Sequence, residues 1–321
     1  MRIIDMHCDT MSCNIAKNDG KVGLAENQGQ IDLIKLKKGG SLAQFFAIFI
    51  PTYEVAVEDG VTQSPYDFYK FVLQVYNREI KLNNSAIAPA LNFNDIIKNK
   101  SEGKISSILT IEDGVPLDGD MNRLHEFYKD GVRLISLTWN YENSIAFPNS
   151  RDEQLMKKGL KPFGIDVVRE MNKLGMIVDV SHLSDGGFWD VIKHSDKPFV
   201  ASHSCCRAIC NHPRNLTDEM LKALGNKGGV VGINFCASFL NENENFTDIN
   251  SIVKHLLHIK EKAGIDALGF GSDFDGIDSK LEFNDYSGMP MIVDALEKKF
   301  TCDEIDKICN GNMLRLIKDT L

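Results

Sequence analysis

Short apolar runs rich in β-branched residues alternate along the chain with longer stretches in which apolar positions recur every three or four residues. The runs fall at 2–7 (RIIDMH), 43–50 (AQFFAIFI), 105–112 (ISSILTIE), 132–138 (VRLISLT), 176–182 (MIVDVSH), 199–204 (FVASHS), 229–235 (GVVGINF) and 267–273 (ALGFGSD). A parallel strand buried on both faces reads as such a run, because neither side meets water. Helical spacing marks 64–82, 162–175, 217–228 and 249–264, and Gly131, Gly175, Gly225 and Gly264 stand where helix C-caps are expected. Strand then helix, repeated about eight times, predicts the α/β class and a (β/α)8 TIM-type barrel. An open doubly wound sheet is the alternative, but no GxGxxG follows the first strand. Residues 278–321 predict additional C-terminal helices, with Thr301 and Glu304 spaced as a capping box.

Length and charge narrow the picture. A chain of 321 residues with 43% apolar content fits one barrel domain spanning 1–321, with no internal repeat or linker to divide it. A formal charge of −9 argues against nucleic acid and anionic membrane as partners; the basic segment KLKKGG (35–40) is a solvated helix end. No apolar run reaches the length of a membrane span, and polar residues interrupt the N-terminal segment by position 5, so a cytoplasmic location is expected. The eight cysteines, including Cys205, Cys206 and Cys210, are then expected as reduced thiols rather than disulfides or a zinc site.

The polar residues worth attention stand at the ends of the predicted strands. His7 and Asp9 follow the first, Glu112 ends the third, His182 the fifth, His203 the sixth and Asp273 the eighth. In a (β/α)8 barrel these ends converge on one face, where active sites form. Nitrogen and carboxylate donors without thiolate suit zinc or a similar divalent ion, and a carboxylate can bridge two. Six donors exceed the need of one tetrahedral ion and favour a two-metal site. Asp5 is expected to orient a ligand, and Asp113 and Asp275 to shape turns. His125, His194, His212, His255 and His258 are read as bystanders, the last two as solvated. From residues alone this is a metal-dependent hydrolase.

The motifs DMHCDT (5–10), GGSLAQFF (39–46), IEDG (111–114), VDVSH (178–182), SHS with CRA and NHPRN (202–215), GSDFDG (271–276) and GNMLR (311–315) are more specific. In this order, across nearly the whole chain, they resemble the membrane (renal) dipeptidase family, metallopeptidase family M19. The resemblance implies a zinc-dependent dipeptidase with two Zn²⁺ per chain: His7 and Asp9 on the first, Glu112 bridging both, His182 and His203 on the second. It implies that a water shared by the ions attacks the peptide carbonyl, that Asp273 carries the proton, and that Arg214 faces the C-terminal carboxylate of a small dipeptide. It further implies tolerance of a C-terminal D-residue and a homodimer.

One position departs from the pattern. Many members carry a histidine after LT on strand four to hold the developing oxyanion, whereas this chain has Trp139 in LTWNYEN (137–143). The indole N–H, Asn140 or Asn143 are the candidates to replace it, so Trp139 and Asn140 join the substrate-binding set. The rival enzyme class is another amidohydrolase-type barrel acting on amides or N-acyl amino acids. It usually opens with His-x-His and bridges its metals with a lysine after strand four; here the opening is His-x-Asp and that lysine is absent. A non-catalytic metal-binding member is the rival outside enzymes.

Overall fold

The computed structural model describes residues 1–18, 21–51, 63–242 and 245–321. Eight parallel strands close a barrel in chain order: β1 (Ile3–Asp5), β2 (Ser41–Phe49), β3 (Ile105–Glu112), β4 (Val132–Ser136), β5 (Ile177–Asp179), β6 (Val200–Ser204), β7 (Val230–Ile233) and β8 (Leu268–Phe270). The β2–β3 ladder is the longest, from Ala43 opposite Ser106 to Phe49 opposite Glu112. The ring closes where Asp5 pairs with Phe270. Every strand lies within or beside its apolar run, and the TIM-type barrel expected from the pattern is the fold observed.

Three strands, β1, β5 and β8, stop short of the polar residues that end their runs. His7, His182 and Asp273 lie beyond the ladders. His182 and Asp273 adopt left-handed backbone conformations, φ 67° and 64°, which no strand can contain and which cost a non-glycine residue of order 1–3 kcal/mol. Such turns at the tops of β5 and β8 aim both side chains across the mouth of the barrel.

The helices follow their periodicity closely. Pro65–Leu82 starts on Ser64, whose side chain accepts from the Asp67 N–H, and Pro162–Leu174 ends on Gly175 at φ 73°. Gly225 is a correction: the helix Asp218–Asn226 runs past it to Lys227, and the left-handed turn falls on Gly228 at φ 77°. A Cβ at Gly225 would come within 2.4 Å of the Ala263 carbonyl oxygen, so that glycine serves close packing of two helices rather than termination. A short strand, Ile87–Pro89, pairs with the start of β3; three residues ending in proline give no readable period.

The C-terminal segment packs as helices, including Met289–Leu296, Cys302–Asp306 and Asn312–Thr320. The capping box forms: the Glu304 N–H donates to Thr301 Oγ1 and the Thr301 N–H to Glu304 Oε2. Met313, Leu316 and Ile317 of the last helix join Ile4, Leu42, Ile108, Leu134, Ile177 and Val230 in one apolar cluster, which fills the strands' N-terminal end and leaves the opposite face for polar groups. Lys37 and Lys38 end the helix Leu33–Lys38 in solvent, as expected of that basic segment. All eight cysteines are free, and among the described residues no helix is long and apolar enough to cross a membrane.

Candidate active site

Six side chains from five strand ends meet at the open mouth of the barrel. Glu112, the last residue of β3, divides its carboxylate between two sides: Oε2 lies 3.4 Å from His7 Nε2, while Oε1 lies 2.9 Å from His182 Nε2 and 3.4 Å from His203 Nε2. His7 Nε2 is also 3.3 Å from Asp9 Oδ2 and 3.7 Å from Asp273 Oδ1. The His182 and His203 Nε2 atoms are 3.0 Å apart, and the His7 and His203 rings stack at 3.9 Å between centroids. All six residues are buried.

This arrangement has the marks of a cation site. Donor atoms of His7, Asp9 and Glu112 lie within 4.8 Å of one another, as do those of Glu112, His182 and His203, and those of His7, His203 and Asp273. Neither nitrogen of His7 has a hydrogen-bond partner, nor does Asp9 Oδ1, and a buried polar atom left so is costly unless something else satisfies it. Within the described residues the three carboxylates form ion pairs only with histidine. Burial raises Glu112 to about 8, with the neighbouring Asp9 charge adding to it; burial likewise raises Asp273 to about 6. Burial disfavours charge on His7, yet Asp9 and Glu112 outweigh it and hold its pKa well above the usual imidazole value. Burial, with Arg214 and His7 nearby, drives His182 and His203 well below it, so both stay neutral. Neutral imidazoles and carboxylates in need of positive charge are the donor set of a divalent metal.

The surrounding polar residues hold the set in place. Asn234, which sequence inspection missed, donates from Nδ2 to Asp273 Oδ2 at 2.9 Å; a lone asparagine within an apolar strand run gives no sign of its task. Asp5 accepts from the backbone N–H and hydroxyl of Ser272 and, weakly at 3.4 Å, from the His7 N–H. It therefore ties the β1 and β8 backbones together and reaches no ligand side chain. Asp113 turns the chain after β3 at φ 76° and accepts from Asn143 Nδ2 at 2.7 Å, and Asp275 takes the Thr10 hydroxyl and the Gln30 N–H. Gly276 is required by space: a Cβ there would stand 2.1 Å from Asp9 Oδ2 and 2.8 Å from Asp273 Oδ1.

A cavity of about 500 Å³ opens over these groups, within the range of small-ligand sites. Trp139, Phe49 and Phe239 wall it, with Cys13, Cys236, Ile277 and Asp278. Trp139 meets Phe49 edge-on at 4.9 Å. Asn140 lines the cavity and brings Oδ1 to 2.9 Å from His182 Nδ1. Arg214 is buried behind the Phe239 ring, 5.3 Å from its centroid, donating from Nη2 to the His203 carbonyl while its Nε has no partner. Asn143 turns inward to Asp113 and the Leu137 carbonyl.

The remaining histidines stand apart from the cluster. His255 was expected in solvent but is fully buried: its Nδ1 accepts from the Cys206 N–H and its Nε2 faces the Leu240 carbonyl. It lies three residues after Ile252, on the helix face that packs inward, and the flanking lysines conceal that phase. His258 is half-buried and pairs with Asp218.

Comparison with known proteins agrees with this geometry. A family model described as membrane dipeptidase (peptidase family M19) matches residues 1–320. Dipeptidase tcpJ of Claviceps purpurea is 30% identical over 302 residues, covering 91% of this chain and 69% of the relative. An uncharacterised dipeptidase of Schizosaccharomyces pombe is 31% identical over 99% of this chain and 80% of its own. A metallopeptidase of Rhodobacter sphaeroides, solved with a phosphinate mimic of the dipeptide L-Ala-D-Ala, superposes with a TM-score of 0.89 at 25% identity, covering 100% of this chain and 99% of the other. With one family matched over residues 1–320 and a barrel whose strand ends bring together a candidate metal-binding set, the chain belongs to the membrane dipeptidase family, peptidase family M19, and is a metallo-dipeptidase.

Proposed function

We propose that the enzyme is a two-zinc dipeptidase, with His7 and Asp9 on one ion, His182 and His203 on the other and Glu112 between them. The observation that carries this is the divided carboxylate of Glu112, one oxygen toward His7 and the other toward His182 and His203. Two divalent ions, when bound, ease the loss of a proton from water and polarise a carbonyl oxygen. The protein's own groups do the rest. Asp273, held at Oδ2 by Asn234, takes the proton from water as its oxygen joins the peptide carbon, then returns that proton to the nitrogen as the C–N bond breaks. Arg214, with an unpartnered Nε beside the cavity wall, receives the dipeptide's carboxylate, a role that suits its planar and permanently charged fork. Trp139, on the wall beside His182, stands where the carbonyl oxygen gathers charge, with Asn140 as the neighbouring polar group. The Rhodobacter neighbour's L-Ala-D-Ala mimic favours tolerance of a C-terminal D-residue. A homodimer, checked by sedimentation, and a cytoplasmic location, checked by cell fractionation, complete the proposal.

The test is chromatographic release of free amino acids from L-L and L-D dipeptides by the zinc-loaded enzyme beside Glu112→Gln and Arg214→Ala. We expect release by wild type, none by Glu112→Gln, and for Arg214→Ala a loss of order 10²-fold in kcat/KM, as for a charged hydrogen bond removed. The same loss should be absent for a dipeptide amide, which lacks the carboxylate. No release from any dipeptide by protein carrying two zinc ions sinks the proposal and turns attention to N-acyl amino acids.

A further inference from the structure

Two buried aspartates outside the ligand set make the same contact on opposite sides of the barrel. Asp5, ending β1, accepts from the Ser272 N–H at 2.8 Å and its hydroxyl at 2.6 Å. Asp179, ending β5, accepts from the Ser202 N–H at 2.8 Å and its hydroxyl at 2.6 Å. Each serine immediately precedes a metal-site residue, Asp273 or His203. What lies beyond the serine differs. Ser272 Oγ meets the His7 carbonyl at 3.2 Å, whereas Ser202 Oγ meets His203 Nδ1 at 2.7 Å.

With Asp179 ionised, the direction of the hydrogens between it, Ser202 and His203 follows from counting donors. Asp179 Oδ1 receives the N–H groups of Ser181 and Ser202, and Oδ2 receives the hydroxyls of Ser202 and Ser136. An ionised carboxylate, an acceptor only, takes all four. The Ser202 hydrogen is thereby committed to Asp179, so its oxygen can only accept from His203. His203 must then carry its hydrogen on Nδ1, which leaves the Nε2 lone pair facing Glu112. We propose that Asp179 is a positioning residue that sets, through Ser202, the tautomer in which His203 holds an ion. This rests on the two-ion reading above. Metal-bound histidines are commonly fixed in this way by a carboxylate; here a serine hydroxyl is interposed.

Asp179→Asn tests it with no change of shape. The amide oxygen has to keep the position facing two backbone N–H groups, which places the NH₂ against the Ser202 and Ser136 hydroxyls. Ser202 now receives a hydrogen from the amide and turns its own toward His203 Nδ1 at 2.7 Å rather than toward Ser181 Oγ at 3.3 Å. His203 is left with its hydrogen on Nε2 and cannot ligate. Asp5→Asn is the matched control, since that clamp ends on a backbone carbonyl instead of an imidazole.

The experiment is a ¹⁵N–¹H spectrum of the histidine rings in metal-free protein, with zinc content by mass spectrometry after dialysis. We expect wild type and Asp5→Asn to show His203 protonated at Nδ1 and to retain two zinc ions. In Asp179→Asn the hydrogen moves to Nε2 and affinity for one ion falls by about 10–100-fold. Ser202→Ala, which keeps the backbone bonds to Asp179, should weaken that same ion and so provides the readout if Asp179→Asn does not fold. An unchanged tautomer in Asp179→Asn, or equal zinc loss in Asp5→Asn, overturns the proposal and leaves Asp179 a strand clamp. Because the tautomer is read without metal, it decides the role of Asp179 even if wild type binds less than two zinc ions, a result that would remove only the two-ion reading.

Discussion

The two halves of the candidate metal site are built from the same backbone device but finished differently. On the β1–β8 side an aspartate and a serine join the strands, and the site residues above them, His7, Asp9 and Asp273, bring two carboxylates and one imidazole whose Nδ1 has no partner. On the β5–β6 side the corresponding residues are His182 and His203, and each Nδ1 has its own polar contact, Asn140 Oδ1 for one and Ser202 Oγ for the other. A carboxylate ligand brings its charge in any orientation, whereas an imidazole is useful only in one tautomer. The half that relies on two imidazoles is therefore the half with partners on both rings. The half that relies on charge depends instead on space, as the crowding around Gly276 shows.

Removing the one residue common to both halves should have the largest effect. Glu112→Gln replaces a charged oxygen on each side by one oxygen and one NH₂, so zinc content should fall from two per chain to one or fewer. Activity should fall by more than the about 100-fold typical of losing an outer partner of a metal site. Zinc analysis alongside turnover measures both; two zinc ions retained would mean the bridge is not needed to hold them.

Gly276→Ala should separate the halves. Its new Cβ presses first on Asp9 and Asp273, and overpacking of this kind typically costs about 1–3 kcal/mol. The β1–β8 ion should bind more weakly while the β5–β6 ion is retained. Cobalt in place of zinc distinguishes the two, because a site with two imidazoles and a site with one give different visible spectra. Equal loss from both sides would show that they are mechanically one unit.

Which parts of this were legible in the sequence follows from the same physics. The barrel was, because eight buried strands each leave a continuous apolar run, and so was the meeting of His7, Asp9, Glu112, His182, His203 and Asp273, because each stands at or just past the end of such a run. Gly225 was misplaced because a glycine near a helix end satisfies either a left-handed cap or a close helix contact, and only the neighbouring chain decides between them. His255 was misplaced for a related reason, since lysines on the solvent face of its helix mask an inward phase. Asn234 and the two serines were invisible because their meaning comes from partners 39, 267 and 23 positions away. Local period carries no trace of such a pairing.

The smallest effect tests a third buried acid, one that serves no ion. Asp113 follows Glu112 and accepts from Asn143 and the Val115 N–H, fixing the loop that carries Trp139 and Asn140. Burial raises it from 3.8 to about 6. A carboxyl group whose pKa is higher in the folded state contributes stability that is full below the unfolded value and is lost as pH rises through the folded one. Between about pH 4 and pH 7, wild type should lose on the order of 2–3 kcal/mol from this group, at 1.36 kcal/mol per pKa unit. Asp113→Asn has nothing to titrate there, so its stability relative to wild type should climb over that interval. Urea melts of both proteins in a chelator at pH 4, 5.5 and 7 measure the difference, and taking the difference removes the contributions of Glu112 and Asp273 that both share. Parallel curves would mean that the Asn143 amide and the backbone N–H groups around Asp113 offset the cost of burying its charge.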